Sequence, residues 1–293
     1  MKIATFPNSV ALNGKEVLDA FTTSLINDNH EIVQNSMDAD VAVIWSVLWN
    51  GRMLPNKQVW DHYRAQNKPV IVLEVGGLKR NETWKIGLNG MNRDGDFGNQ
   101  NSDSDRWDTL GLKISPWKTG GDDGAVIIWG QHGPSEQWKH NKPVQEWMID
   151  VARDIRKCSS RRIVFRPHPR FPVKPDYIAE FMNTMIVNPM KISDTYDNYD
   201  FTNALRGAWA VVSYSSNPAT EAVLAGVPVF VSEHSMCWDV GNNVNDLSTI
   251  ENPKRPDRTQ WCNDIAYSEW TIQEIKDGIP WDRLKSFIQT STS

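Results

Sequence analysis

Apolar residues in this chain fall in short runs, separated by stretches where they recur every three or four positions. That alternation predicts strands joined by helices, as in a parallel sheet covered on both faces. In the first part, the runs at 3–6, 31–33, 41–45 and 70–75 predict strands, and 15–25 and 57–66 predict helices. Asn50-Gly51 and Asn67-Lys68-Pro69 punctuate them. Regularity then stops. From 76 to 124 the chain is rich in Gly, Asn and Asp and predicts only a short helix at 105–110. A loop region that long inside a compact protein is functional or disordered.

A second series starts at 125–131, which puts a lobe boundary near 120–124. Pro143 suits the first turn of a helix reaching about 157. A strand at 162–165, helices at 175–182 and 201–207, a strand at 210–214, a helix at 219–224 and a strand at 227–232 follow. The tail from 257 to 289 predicts two or three helices, and no repeat of 20 to 50 residues or low-complexity tract interrupts the series. The fold class expected is α/β, with two Rossmann-like lobes around a central cleft and C-terminal helices. The lobes are 1–122 and 123–265, and residues 266–293 pack back across them.

Composition narrows this. The 293 residues, 40% hydrophobic, can bury one large core or two modest ones. The 14 tryptophans serve mainly as core, although some could line a cleft and stack on a sugar or base. No run of about 18 apolar residues occurs, and the opening Met1-Lys2-Ile3-Ala4-Thr5-Phe6 reads as a strand rather than a signal peptide. A soluble, cytoplasmic protein without a membrane partner is expected. Cys158, Cys237 and Cys262 have neither disulfide-framework nor zinc-site spacing. A net charge of −5 argues against bulk nucleic-acid binding but permits a local basic patch.

Two motifs carry candidate chemistry. Arg166-Pro167-His168-Pro169-Arg170 follows the strand ending at Phe165, and ligands of parallel sheets sit at such carboxyl ends. The prolines stiffen the turn, and Arg and His supply donors for phosphate oxygens. The alternative is a surface turn whose arginines pair with acids. The second motif runs from Val212 through Ser215-Ser216-Asn217-Pro218 to Glu221 and Gly226-Val227-Pro228. A strand opens into hydroxyl residues and a helix N-terminus, where an anion is favoured. Ser215 and Ser216 can donate to a pyrophosphate and Glu221 can accept from ribose hydroxyls. Otherwise Ser216 is an N-cap and Glu221 a partner of the helix dipole.

The pair R-P-H-P and S-S-x-x-x-x-E-A-x-x-x-G-x-P resembles the donor lobe of GT-B glycosyltransferases. It is most similar to the capsule-polysaccharide and glycerophosphotransferase type and to glycosyltransferase-like proteins of bacteriophages. The resemblance covers residues 125–235; Ala266-Tyr267-Ser268-Glu269-Trp270-Thr271 also looks like the phage type, less specifically. The resemblance implies that Arg166, His168 and Arg170 meet the donor phosphates, Ser215 and Ser216 the pyrophosphate, and Glu221 the ribose. Gly130 and Gln131 would approach the donor closely. It also implies a nucleotide-sugar donor, taken as a UDP-sugar, with acceptor and catalytic base on the N-terminal lobe.

For an inverting transfer a carboxylate must take the acceptor proton. Glu74, at the end of the 70–75 strand, is the first candidate, with Asp94 and Asp96 in the Gly-rich loop next; His132 is a further one. The triplets Asp38/Asp40, Asp94/Asp96 and Asp103/Asp105 match the D-x-D metal signature of another glycosyltransferase fold, but none ends a strong strand, so no metal is expected. A G-x-G-x-x-G fingerprint after the first strand is absent. The phage-type resemblance suggests a hexosyltransferase acting, in the host cytoplasm, on 5-hydroxymethylcytosine or another hydroxymethylated pyrimidine in DNA. Lys79, Arg80, Trp84, Lys85 and Arg93 could then hold phosphates and an extruded base. Rival readings are a capsule or lipopolysaccharide glycosyltransferase, a nucleotide-sugar epimerase, and a non-catalytic nucleotide-binding or lectin-like module.

Overall fold

The computed structural model describes residues 1–119, 123–193 and 199–290. The expected boundary near 120–124 therefore lies largely outside the described residues. The chain forms two compact units. The first takes in Met1–Leu110, Pro134–Glu136 and the chain from Cys262 onward; the second takes in Gly111–Gly133 and Gln137–Trp261.

The first unit is built from β1 (Lys2–Thr5), α1 (Lys15–Asn27), β2 (Glu31–Gln34), β3 (Val41–Trp45), α2 (Asn56–Ala65), β4 (Val70–Val75), β5 (Trp84–Leu88) and α3 (Asp105–Leu110). Its sheet order is β12-β5-β4-β3-β1-β2, where β12 (Glu269–Trp270) comes from the C-terminal segment. β1 to β4 are parallel, whereas β5 and β12 run antiparallel. Alternate residues of β4 serve different cores, as a period of two requires. Val70 and Val72 pack with Val59, Trp60 and Tyr63 of α2. Ile71 and Leu73 join Phe21 of α1 and Trp281, Leu284 and Ile288 from the C-terminal helix.

The second unit contains β6 (Ala125–Trp129), α4 (Val144–Cys158), β7 (Ile163–Arg166), β8 (Thr184–Ile186), α5 (Phe201–Leu205), β9 (Ala208–Ser213), α6 (Pro218–Leu224), β10 (Val229–Val231) and β11 (Asn242–Asn243). Its sheet is wholly parallel, in the order β11-β10-β9-β6-β7-β8. The chain moves outward from β6 to β8, then returns to the other side of β6, so strand order reverses between β6 and β9. α7 (Thr259–Ala266), α8 (Ile272–Lys276) and α9 (Ile279–Thr290) complete the chain, and a Thr271/Glu274 capping box starts α8.

Two elements differ from expectation. Residues 175–182 form a 3₁₀ turn at Pro175–Ile178 rather than a helix, because Asn183, at φ 54°, turns the chain into edge strand β8. The irregular 76–124 segment holds β5, whose Trp-Lys-Ile-Gly-Leu carries a charge in mid-strand. No described helix is long and apolar enough to cross a membrane.

Candidate functional site

On the second unit, the ends of β6 and β9 flank the reversal of strand order, where open α/β sheets take ligands. Gln131 follows β6 and is 5% exposed. Its Oε1 accepts the Ser215 backbone N–H at 2.9 Å, and its Nε2 donates to the Gln137 carbonyl at 3.4 Å. The Ser215 hydroxyl donates to the same carbonyl at 2.9 Å. Gln131 and Ser215 thus tie the strand ends together, and both are buried. Gly130 makes a close approach within the sheet edge. A Cβ there would sit 3.0 Å from the His168 backbone nitrogen and 3.1 Å from Pro167 Cα, so the residue lets the β6 end lie against the turn after β7.

That turn distributes its charges unevenly. Arg166, expected on donor phosphates, is 1% exposed, and its Nη2 donates to Asp200 Oδ1 at 2.5 Å and lies against the Trp129 ring. In this arrangement it is buried and braces the end of β7, and its Nε has no hydrogen-bond partner among the described residues. Burial tends to raise the Asp200 carboxyl, but the Met190 N–H and Arg166 hold it below the usual range. His168 and Arg170 retain exposure. His168 Nδ1 accepts the Arg170 backbone N–H at 3.2 Å, which leaves the imidazole proton on Nε2, available to an anion. Burial, with the charges of His132 and Arg170, pushes His168 down to about 4, so it donates as a neutral ring near pH 7. His132 packs edge-on to His168 at 5.5 Å and to Phe171 at 4.8 Å.

Ser216 does not cap α6: Asn217 is the N-cap and makes no side-chain cap bond, while the Ser216 and Ser213 hydroxyls share a hydrogen bond of 2.7 Å. Glu221 lies half-buried in the first turn of α6. The sequence did not single out Trp138, Tyr214 and His234. Tyr214 lies 4.7 Å from Trp138 and 5.9 Å from His234, giving an aromatic cluster beside Ser215.

On the first unit, Glu74 stands near the carboxyl end of β4. Ser46 Oγ donates to its Oε2 at 2.6 Å, and the Val75 N–H donates to its Oε1 at 2.8 Å. Burial pushes the Glu74 carboxyl up, opposed by these two bonds and by the charges of Lys85 and Arg80. Ser46 has φ 63°, a left-handed conformation uncommon outside glycine and associated with functional turns. No motif pointed to it; the only signal was a small polar residue ending an apolar strand.

The antiparallel pairing of β4 and β5 sorts the remaining candidates. Glu74 is opposite Lys85 and Val75 opposite Trp84, whereas Ile71 is opposite Leu88. Leu88 in turn bridges Asp96. Asp94, Asp96 and Arg93 therefore lie toward the other end of β4 from Glu74, roughly 10 Å away along the strand at about 3.3 Å per strand residue. Asp96 also accepts the Gly98 N–H at 3.0 Å, and its backbone pairs with Leu88, so this loop is anchored at the far edge and does not close over Glu74. Lys79, Arg80 and Trp84 are at the Glu74 end. Lys85 is there too, but at 3% exposure it is inside the sheet rather than on a surface. No group of three or more His, Cys, Asp or Glu side chains suited to a metal occurs among the described residues.

No protein-family model and no curated protein matches the chain. Solved structures do. KpsC of Thermosulfurimonas dismutans, a beta Kdo 2,4 transferase, is 11% identical, covering 96% of this chain and 98% of its own with a TM-score of 0.53. A second KpsC structure from that organism, a beta Kdo 2,7 transferase, is 14% identical over 97% and 100%, with a TM-score of 0.51. These likenesses show the fold: two Rossmann-like units of GT-B type. A UDP-GlcNAc 2-epimerase of Methanocaldococcus jannaschii, in complex with UDP-GlcNAc and UDP, matches at 11% identity over 90% and 98%, with a TM-score of only 0.34.

Proposed function

We propose that the chain is a glycosyltransferase. The second unit takes a nucleotide-sugar donor at the carboxyl edge of its sheet, and Glu74 of the first unit accepts the proton of the acceptor hydroxyl. The observation that carries this reading is Glu74: a carboxyl raised by burial, held by two hydrogen bonds beside a left-handed serine at the end of a parallel strand. A general base works best when its pKa lies near the working pH, and burial moves a carboxyl in that direction. In a single-displacement transfer the acceptor oxygen bonds to the anomeric carbon and the bond to the donor phosphate breaks. The electron pair leaves on the nucleotide, and the proton goes to Glu74.

On the donor side, His168 Nε2, Arg170 and the Ser216 hydroxyl serve the pyrophosphate and Glu221 the ribose. Gln131, Ser215 and the Arg166–Asp200 pair hold the strand ends that present them. A UDP-sugar is the first donor to offer.

For the acceptor, a saccharide hydroxyl fits better than a hydroxymethylated pyrimidine in DNA. Duplex binding needs a contiguous row of phosphate contacts. Arg93 lies at the far end of β4 and Lys85 is buried, so the expected acceptor surface is reduced to two cations, Lys79 and Arg80, beside Trp84. That the two solved structures of like fold are named as Kdo transferases also favours a saccharide.

Incubation with a panel of nucleotide sugars and saccharide acceptors, followed by mass spectrometry, tests the proposal. A glycosylated acceptor is expected, and Glu74→Gln should lose turnover while keeping donor affinity. An epimerised donor without acceptor would assign the chain to nucleotide-sugar epimerisation. Donor binding with no turnover on any acceptor would make it a binding module.

A further inference from the structure

Four polar residues form a row across the end of the first sheet. Ser46 follows β3 and bonds Glu74 of β4; Glu74 is opposite Lys85 of β5; Lys85 is opposite Glu269 of β12. Residues directly opposite in antiparallel pairs share a face. We propose that Lys85 is a positioning residue for Glu74: held in the strand register between the Glu74 and Glu269 carboxylates, its ammonium orients Glu74 and sets the charge at the acceptor end of the sheet. The inference rests on Glu74 being the base, but it is tested separately.

A lysine 3% exposed in mid-strand requires compensation, since ammonium groups are almost never buried unpaired. The register supplies a carboxylate on each side. Glu269, 1% exposed, is itself fixed. Its Oε1 accepts the Gly77 N–H at 2.7 Å, and its Oε2 accepts the Leu78 N–H at 3.0 Å and the Thr83 hydroxyl at 2.8 Å. Gly76 allows the turn to close on it, because a Cβ there would sit 2.3 Å from the Thr83 carbonyl oxygen and 2.4 Å from Glu269 Oε2. The same carboxylate thus anchors the turn that carries Lys79 and Arg80.

Burial and the hydrogen bonds from Ser46 and the Val75 N–H act most strongly on Glu74, and among the charged groups near it Lys85 comes first. β3 contributes the uncharged Ser46, and the turn contributes Arg80, whose influence on Glu74 is smaller than that of Lys85. α2, on the same face, packs Val59, Trp60 and Tyr63. Its basic and imidazole side chains bond elsewhere, Lys57 to Asp61 at 2.6 Å, His62 to the Met37 carbonyl at 2.9 Å and Arg64 to the Lys68 carbonyl at 3.4 Å.

The test is a carbon-13 titration of the full chain labelled at glutamate carboxyls, with the Glu74 signal identified by its loss in Glu74→Gln. Lys85→Met should raise the Glu74 midpoint by about 1 unit or more, as removal of a nearby opposite charge does. Lys85→Arg should restore it. Glu269→Gln should lower the midpoint, because a negative charge is removed while Lys85 remains; this arm serves if Lys85→Met does not fold. A midpoint unmoved in the folded variants overturns the inference. The titration needs no substrate, so failure to find any transfer would count against the glycosyltransferase reading alone.

Discussion

Gln131 Oε1 accepts the Ser215 backbone N–H at 2.9 Å, so one buried side chain joins β6 to β9 where strand order reverses. Gln131→Leu keeps the volume and removes every polar atom, leaving a buried N–H unpaired at a cost of about 1–3 kcal/mol. Urea unfolding should show that loss, and calorimetry should show weaker donor binding. Gln131→Glu keeps an acceptor for Ser215 but adds a negative charge beside the proposed phosphate site. It should be less destabilising than Gln131→Leu and more damaging to donor affinity. The reverse order would mean that no anion binds here.

His168 gives a pH signature. Its pKa of about 4 in the free protein rises when a phosphate stands beside it, so donor affinity increases as pH falls from 7 toward 4. A nucleotide sugar suits the measurement because its doubly esterified pyrophosphate does not titrate in that window. Calorimetry from pH 7.5 to 5 should show tightening in the wild type and a flat profile in His168→Gln. Equal slopes would remove His168 from the donor site.

The strands of the second unit and the turns that follow their carboxyl ends were legible because apolar runs such as Val-Ile-Ile-Trp and Ala-Val-Val-Ser end in polar, glycine- or proline-marked turns, whereas the order of those strands in the sheet was not. What also could not be read was which side chains at that edge face outward. Arg166 and Arg170 look equivalent in sequence, yet Asp200, remote in the chain, draws one into the interior. Likewise Glu74 was readable as a strand-end carboxylate, whereas Ser46 and Glu269 were not, since their roles depend on pairing between strands distant in sequence. Asp94 and Asp96 followed Glu74 closely enough to seem its companions. An antiparallel return strand, β5, carried them to the opposite end of the sheet.

Arg166 and Asp200 should behave as a structural pair. Arg166→Met leaves the Asp200 carboxylate without its cation and should cost about 3–5 kcal/mol, the range for breaking one side of a buried ion pair. Arg166→Met with Asp200→Asn should recover much of that stability. If the double variant is as unstable as the sum of the singles while donor binding alone is lost in Arg166→Met, Arg166 acts on the ligand.

Glu74→Gln should lower turnover by at least about 100-fold, as expected for loss of a general base. The same variant reads the half-buried carboxyl through stability. The folded-state pKa of Glu74 lies above its unfolded value, so its contribution is fully present below the unfolded pKa and is lost as pH rises through the folded one. The stability of the wild type relative to Glu74→Gln should therefore fall as pH rises above the ordinary glutamate value of about 4. A difference that grows with pH instead would mean that Glu74 is stabilised as the carboxylate, paired too well with Lys85 to act as a base.

The acceptor can be decided by salt and by position along β4. If DNA is the acceptor, Lys79, Arg80 and Arg93 all neutralise phosphates, and binding falls steeply with salt, losing about 0.9 of a log unit per log of salt for each contact. The structure separates Arg93 from Arg80 by most of the length of β4, so a saccharide bound at the Glu74 end would depend on Arg80 and Trp84 and ignore Arg93. We expect Arg80→Ala and Trp84→Ala to raise the acceptor KM with little change in donor affinity, and Arg93→Ala to leave both unchanged, at salt from 50 to 300 mM. Trp84 is half-buried against the first unit's core, so its variant should also be checked for folding. Transfer to hydroxymethylcytosine DNA, weakened by Arg93→Ala and by salt and absent on every saccharide offered, would restore the DNA acceptor and require the two ends of β4 to serve one extended substrate.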